Sequence, residues 1–273
     1  MVSKKINSDN SKLVIAISSR ALFNLDHSHK IFKEEGIEAY ARHQQENEHV
    51  VLEPGVGFTL VKKLLKLNSK KTPIDVILLS RNSADTGLRI FNSIEHYGLN
   101  ISRAAFTRGE STHPFVGAFE ADLFLSSNYN DVQKALQSGY AAASIVESKS
   151  KNSHPSQLRI AFDGDAVIFS DESERIFQEK GLEAFHENEV LSEKIELKAG
   201  PFKSFLVSLQ KIQSTFPEED NPIRTALVTA RSAPSHKRVI HTMREWGIRI
   251  DESFFLGGLE KGVFLRQFAA DIF

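Results

Sequence analysis

The chain of 273 residues contains no cysteine. That absence excludes disulfide bridges and thiolate metal sites, and it leaves the redox compartment undecided. No sign of charge dominates either. The 34 basic and 35 acidic side chains leave a formal net charge of -1. A protein that neutralises a phosphate backbone needs a positive field that this balance does not supply, so nucleic acid is excluded as a partner. Long apolar runs are missing too. The first, "LVIAI", follows a polar "MVSKKINSDNSK" and is far too short for a membrane span or a signal core, so no membrane partner is expected and the cytoplasm is the default location. The commoner cofactor signatures are absent as well. "GVGF" (55–58) and "GG" (257–258) fit neither the G-x-G-x-x-G nor the P-loop spacing, and the ten histidines form no H-E-x-x-H. His27 and His29, two apart, read as a solvated loop rather than a ligand pair.

What is present is a core-forming composition, 41% hydrophobic and 25% charged, sufficient for one large or two ordinary α/β domains. Short Val/Ile/Leu-rich runs without alternation recur: "LVIAIS" (13–18), "DVILLS" (75–80), "LRIAFD" (158–163) and "TALVTA" (225–230). Such runs suit strands buried on both faces of a parallel sheet. Between them, "SHKIFKEEGIEAYARHQ", "GFTLVKKLLKLN", "GLRIFNSIEHYGL" and "HKRVIHTMREWGI" carry apolar residues at helical spacing, several ending at glycine. The alternation predicts an α/β fold with a doubly wound, Rossmann-like parallel sheet.

The chain also resembles itself. Residues 13–40 laid on 158–185, an offset of 145 (158 − 13), give twelve identities in twenty-eight positions. Ordinary usage would supply roughly two. At an offset of 149 (222 − 73), "PIDVILLSRNSADTGLRIFNSIEHYGLNI" falls on "PIRTALVTARSAPSHKRVIHTMREWGIRI". This predicts two diverged copies in tandem: residues 1–146, a polar linker "ESKSKNSHPSQ" at 147–157, and residues 158–273.

The copies differ where chemistry would sit. Asp163 aligns with Ser18, Asp165 with Arg20, Thr229 with Ser80, Arg231 with Asn82 and Lys261 with Thr112. The first copy is either a scaffold half or a vestigial phosphate or effector pocket lined by Ser18, Arg20, Ser80 and Asn82. In the second copy the acids, the threonine and the lysine fall at carboxyl ends of strands or in the loops that follow, where open α/β sheets bind ligands. One carboxylate of an Asp-x-Asp can attack or hold a metal, and the second can serve the leaving group as acid and then base. A threonine hydroxyl and a lysine can offset phosphate charge, which phosphoryl transfer requires.

The ordered set "DGDAV", "VTA" and "GGLEKG" resembles motifs I, II and III of the haloacid-dehalogenase-like (HAD) hydrolases. More narrowly, "RIAFDGDAVIFSDESERIF", "LVTARSAPS", "EPGVGF" and "SSRALFNLD" look like the type I cytosolic 5′-nucleotidases, across nearly the whole chain. The resemblance implies a HAD-like fold and Mg²⁺-dependent hydrolysis of nucleoside 5′-monophosphates, AMP and deoxynucleotides among them. Asp163 would be the nucleophile that forms an aspartyl phosphate. Asp165 would protonate the leaving 5′-oxygen and then activate water, with Lys261 balancing charge. Gly164, Thr229, Ala230, Arg231 and Ser232 would bind the substrate, and Asp163 with the Asp165 carbonyl would hold Mg²⁺. Residues of about 169–221 would form a small helical cap, in which Phe177, Phe185, Phe202 and Phe205 read as core rather than base-stacking rings.

One motif departs from the family. The fourth, an acidic pair after an apolar strand, is replaced by Ser126 and Ser127 in the first copy, and the second copy reaches Phe273 two residues before its place. The catalytic copy is therefore expected to be incomplete at its C-terminus. The alternatives to a nucleotidase are a phosphatase for another small phosphometabolite and a nucleotide-binding protein with weak turnover. Self-association into a homo-oligomer is a possible further property.

Overall fold

The computed structural model describes residues 12–69, 73–145, 154 and 156–273. The strands predicted from apolar runs are present and buried. β1 (Leu13–Ser18) and β2 (Ile74–Ser80) pair in parallel and are joined by β3 (Arg103–Phe106), β4 (Leu123–Ser126) and β5 (Ala142–Ser144) in a sheet of order β3-β2-β1-β4-β5. A second parallel sheet runs β6 (Leu158–Asp163), β7 (Ile223–Thr229) and β8 (Glu252–Phe255), in the order β6-β7-β8. A parallel bridge from Ile160 to Ile272 places the last described segment on the free edge of β6. The fold is thus α/β with parallel sheets. The predicted linker 147–157 lies largely outside the described residues.

The two sheets share one register. Leu13 faces Ile74 as Leu158 faces Ile223, Ile77 faces Arg103 as Ala226 faces Glu252, and Ile15 faces Leu123 as Ile160 faces Ile272. Every one of these pairs is related by the sequence offsets of 145 and 149. In each sheet the strand order reverses beside the first strand, β1 or β6, and the crevice at such a reversal opens at the carboxyl ends.

Helices cover the sheets. After α1 (Ser19–Leu22), α2 (Asp26–Glu46) takes in His27 and His29, so these histidines lie in a helical first turn and not in a loop. The His27 ring lies 5.2 Å from that of His43. In the second half, a π-type turn (164–168) precedes the corresponding helix, α7 (Glu172–Leu191). Both long helices are broken at glycine, Gly36 with φ 89° and Gly181 with φ 84°. Only a residue without Cβ adopts that backbone cheaply, and the chain resumes its helix afterwards.

α3 (Phe58–Leu67) and α8 (Lys203–Gln213) join the halves: α3 packs on β6 as well as β2, and α8 packs on β1. One continuous core results, running from Leu13 and Leu78 through Val61 to Phe205 and Leu227. The polar contacts across this seam match as well. Lys63, buried on α3, donates to Asp271 Oδ1 at 2.6 Å, while Ser208 on α8 donates to Asp122 Oδ1 at 3.2 Å. Each aspartate also caps the start of a first strand, Asp271 accepting from Arg159 N and Asp122 from Val14 N. The remaining helices, α4 (Leu88–His96), α5 (Pro114–Ala118), α6 (Tyr129–Gln137), α9 (His236–Glu245) and α10 (Lys261–Phe268), complete the layers.

Candidate active site

Asp163 is the last residue of β6, and its Oδ1 accepts the Gly164 N–H at 2.8 Å. The chain then turns sharply, with Ala166 held at φ 63°, a conformation that costs a residue bearing Cβ and recurs at functional sites. Gly164 passes close to β7: a Cβ there would stand 3.1 Å from Thr229 Oγ1. That approach sets the first acid beside the hydroxyl at the end of the neighbouring strand. Thr229 is buried, and its Oγ1 accepts the backbone N–H of Arg231 at 3.2 Å.

Lys261 comes from a third loop. Gly257 and Gly258, at φ 58° and 93°, turn the chain after β8 so that α10 begins at Lys261, whose ammonium contacts Asp163 Oδ2. The glycine pair thus serves the placement of a cation. About a third of the Asp163 side chain is exposed, so the carboxylate remains open to a ligand.

Asp165 has a different partner. The Arg231 guanidinium grips both of its oxygens, Nε to Oδ2 at 2.8 Å and Nη2 to Oδ1 at 2.6 Å. The third nitrogen of Arg231 bonds Glu189 of α7, which also accepts from Arg238 Nη1 and Ser173 Oγ, both at 2.9 Å. Glu189 is fully enclosed, and the Arg231 guanidinium lies 5.3 Å from the Phe185 ring. Burial opposes the Arg231 charge, and the carboxylates of Asp165 and Glu189 more than offset it, so its pKa lies above the ordinary arginine value. Two carboxylates and two guanidiniums form a closed, neutral set.

The structure therefore brings together Asp163 with Lys261, Gly164 with Thr229, and Asp165 with Arg231. Ala230 is exposed just beyond β7, and Ser232 lies under Gly257, whose Cβ would stand 3.4 Å from that of Ser232. Phe185, Phe202 and Phe205 are buried, as expected of core rings, whereas Phe177 is 44% exposed. Glu189, Arg238 and Ser173 were not singled out by sequence. Their signal lay in the repeat: Glu189 falls on Gln44 and Ser173 on Ser28 at the offset of 145, and Arg238 falls on Arg89 at 149.

Among the described residues, no three acidic or histidine side chains converge on one point. Mg²⁺ keeps several waters and is commonly bound by one or two carboxylates with the substrate phosphate completing its shell. Asp163, with a third of its side chain exposed, is a carboxylate that could take part in a shell of that kind.

The sequence profile described as 5′-nucleotidase matches residues 5–273. The chain belongs to the 5′-nucleotidase family. Within that family it is similar to human cytosolic 5′-nucleotidase 1B, 40% identical over an alignment 275 residues long that covers 96% of this chain and 45% of the relative. This 5′-nucleotidase-family chain thus spans about half the length of the curated relative it matches. No solved structure gives a significant match.

Proposed function

We propose that the chain hydrolyses nucleoside 5′-monophosphates, AMP and deoxynucleotides among them, to nucleoside and phosphate in the cytosol. The observation that carries this reading is the meeting of Asp163 and Lys261, 98 residues apart in sequence, at the carboxyl end of β6 in a chain of the 5′-nucleotidase family. Asp163 attacks phosphorus, and the bond to the 5′-oxygen breaks as the aspartyl phosphate forms. Lys261 and the Thr229 hydroxyl, with the Ala230 N–H, take up charge on the phosphoryl oxygens. Mg²⁺, held by the Asp163 carboxylate and the Asp165 carbonyl, would screen the dianion from the nucleophile.

Asp165 handles protons. It delivers one to the departing 5′-oxygen and then takes one from the water that attacks the aspartyl phosphate, which restores Asp163 and releases phosphate. In the state described here both oxygens of Asp165 accept from Arg231, so neither is free to serve the water of the second step until that contact opens. For the first, the proton arrives with substrate or solvent and the grip of Arg231 loosens. That same grip favours a second reading, a nucleotide-binding protein with weak turnover.

We further infer that the chain is two diverged copies of one HAD-like unit, residues 1–146 and 158–273, of which the second is catalytic and carries α7 and α8 (about 169–221) as its cap. The shared register and the matched contacts of Lys63 and Ser208 support this. Phosphate release from a panel of nucleoside monophosphates with Mg²⁺ tests the enzymatic reading. Turnover that Asp163→Asn abolishes supports it. Tight nucleotide binding without release selects the binding protein, and release from sugar phosphates alone selects a different phosphatase.

A further inference from the structure

The first half holds, where the second has its neutral charge network, a cluster of different sign. At the offsets of 145 and 149, Asp165, Phe185, Glu189, Arg231 and Arg238 become Arg20, Tyr40, Gln44, Asn82 and Arg89. Two carboxylates and two guanidiniums are replaced by two guanidiniums and no carboxylate. Arg89 is half-buried and donates only to neutral groups, Val50 O at 2.8 Å and Gln44 Oε1 at 3.2 Å. Among the described residues no carboxylate pairs with it, and burial lowers its pKa. Arg20 meets only Asp26, in a surface pair of the kind that contributes little.

Tyr40 ties the cluster together. Its hydroxyl accepts from Gln44 Nε2 at 3.1 Å, feels the charge of both Arg89 and Arg20, and is approached by Asn82, whose buried Nδ2 turns toward it without closing a hydrogen bond of ordinary geometry. Thr112, which stands where Lys261 stands in the other half, is 2% exposed and its hydroxyl has no partner. A buried donor without an acceptor costs free energy, as does a half-buried guanidinium without a counter-ion. Each of these groups can donate to an anion, the Thr112 hydroxyl as well as Asn82 Nδ2 and the guanidiniums.

We propose that the first half binds the phosphoryl group of a small phosphate ester between Arg20, Arg89 and Asn82, beyond the carboxyl ends of β1 and β2. A phosphate presents three acceptor oxygens to two guanidiniums and an amide, a closer match than a carboxylate with two. Ser18 stands in place of the carboxylate nucleophile, its hydroxyl accepting from the N–H groups of Ala21 and Ser127, and Arg20 stands in place of the acid that could serve it as a base, so the cluster is not equipped for attack on phosphorus. The site holds its ligand without hydrolysing it. It does not depend on the activity proposed for Asp163.

Equilibrium dialysis of the full chain carrying Asp163→Asn, so that AMP is not consumed, with labelled inorganic phosphate and in parallel with AMP, tests this. Two equivalents bound per chain are expected with at least one of the two probes. Lys261→Met should remove one equivalent, and Arg20→Gln with Arg89→Met the other, each arginine change weakening that site about tenfold or more. Arg20→Gln alone alters only a surface side chain, so it keeps the test available if Arg89→Met does not fold. Phosphate binding at this site identifies the free anion as sufficient, and AMP binding without phosphate binding identifies the ester. A single equivalent lost entirely with Lys261→Met, or a second that is unmoved by Arg20→Gln and Arg89→Met, would overturn the proposal.

Discussion

Replacing Glu189 with glutamine keeps the shape of the side chain and removes its charge from the closed set that contains Asp165. Of the two guanidiniums bound to it, Arg231 retains Asp165, but Arg238, itself 6% exposed, has no other carboxylate in the network. Breaking a buried ion pair from one side costs about 3–5 kcal/mol, because the charge that remains is neither solvated nor paired. For a chain of this size each kcal/mol lowers the melting temperature by about 2–4 °C, so Glu189→Gln should melt on the order of 6–20 °C below the parent chain. Thermal unfolding followed by circular dichroism measures this, and urea midpoints check the sign. Glu189→Gln combined with Arg238→Gln should recover part of the loss, since the stranded charge is gone. A Glu189→Gln chain that melts within about 2 °C of the parent would refute the reasoning, since a free-energy cost of that class cannot be so small.

Other expectations follow from single contacts. Lys261→Met should lower phosphate release by about a hundredfold or more while leaving the melting temperature nearly unchanged, because its partner Asp163 is partly open to water. Steady-state kinetics beside a thermal melt separate the two effects. Gly200→Ala would put a Cβ 2.3 Å from Val167 O and 2.5 Å from Phe169 O, both backbone atoms, so a loss of about 2 kcal/mol or more is expected in urea unfolding. Burial works to raise the pKa of Asp131, but hydrogen bonds from Arg81 and Ser111 more than offset it and hold the pKa below its ordinary value of 3.8. A depressed carboxylate stabilises the fold above its unfolded pKa and loses that contribution as pH falls through the folded value, so Asp131→Asn should flatten the acid limb of the stability curve below about pH 4.

The strands at the centre were legible because a strand buried on both faces is mostly an unbroken apolar run, as in "LVIAIS"; "LRIAFD" departs from it only at Arg159 before its closing acid. β3 and β8 were not, since "RAAF" and "ESFF" are short, half-buried and begin with a charge. His27 and His29 were misplaced in a loop because a helix first turn is as polar as one. At the site, Asp163 and Lys261 were readable from motif order. The destination of Asp165 was not: Glu189 sits in "FHENEVL", a stretch with the composition of a solvated helix face, and nothing local says that it is enclosed. Only the paired change from Asp165, Arg231 and Glu189 to Arg20, Asn82 and Gln44 carries that information, because a buried network gains or loses its charges together.

The seam between the halves has a history in it. Lys63 reaches Asp271 while Ser208 reaches Asp122, so that a helix position in each half meets the matching aspartate of the other. Contacts of the form i to j and j to i are what a twofold axis produces between two copies of one chain. On the duplication reading, the ancestor was a single unit that worked as a symmetric dimer with two identical catalytic centres, and its subunit interface became the interior of one protein. Once a linker fixed the partners, selection no longer acted on both centres through one set of codons. One centre could then change its charges while the other kept its acids.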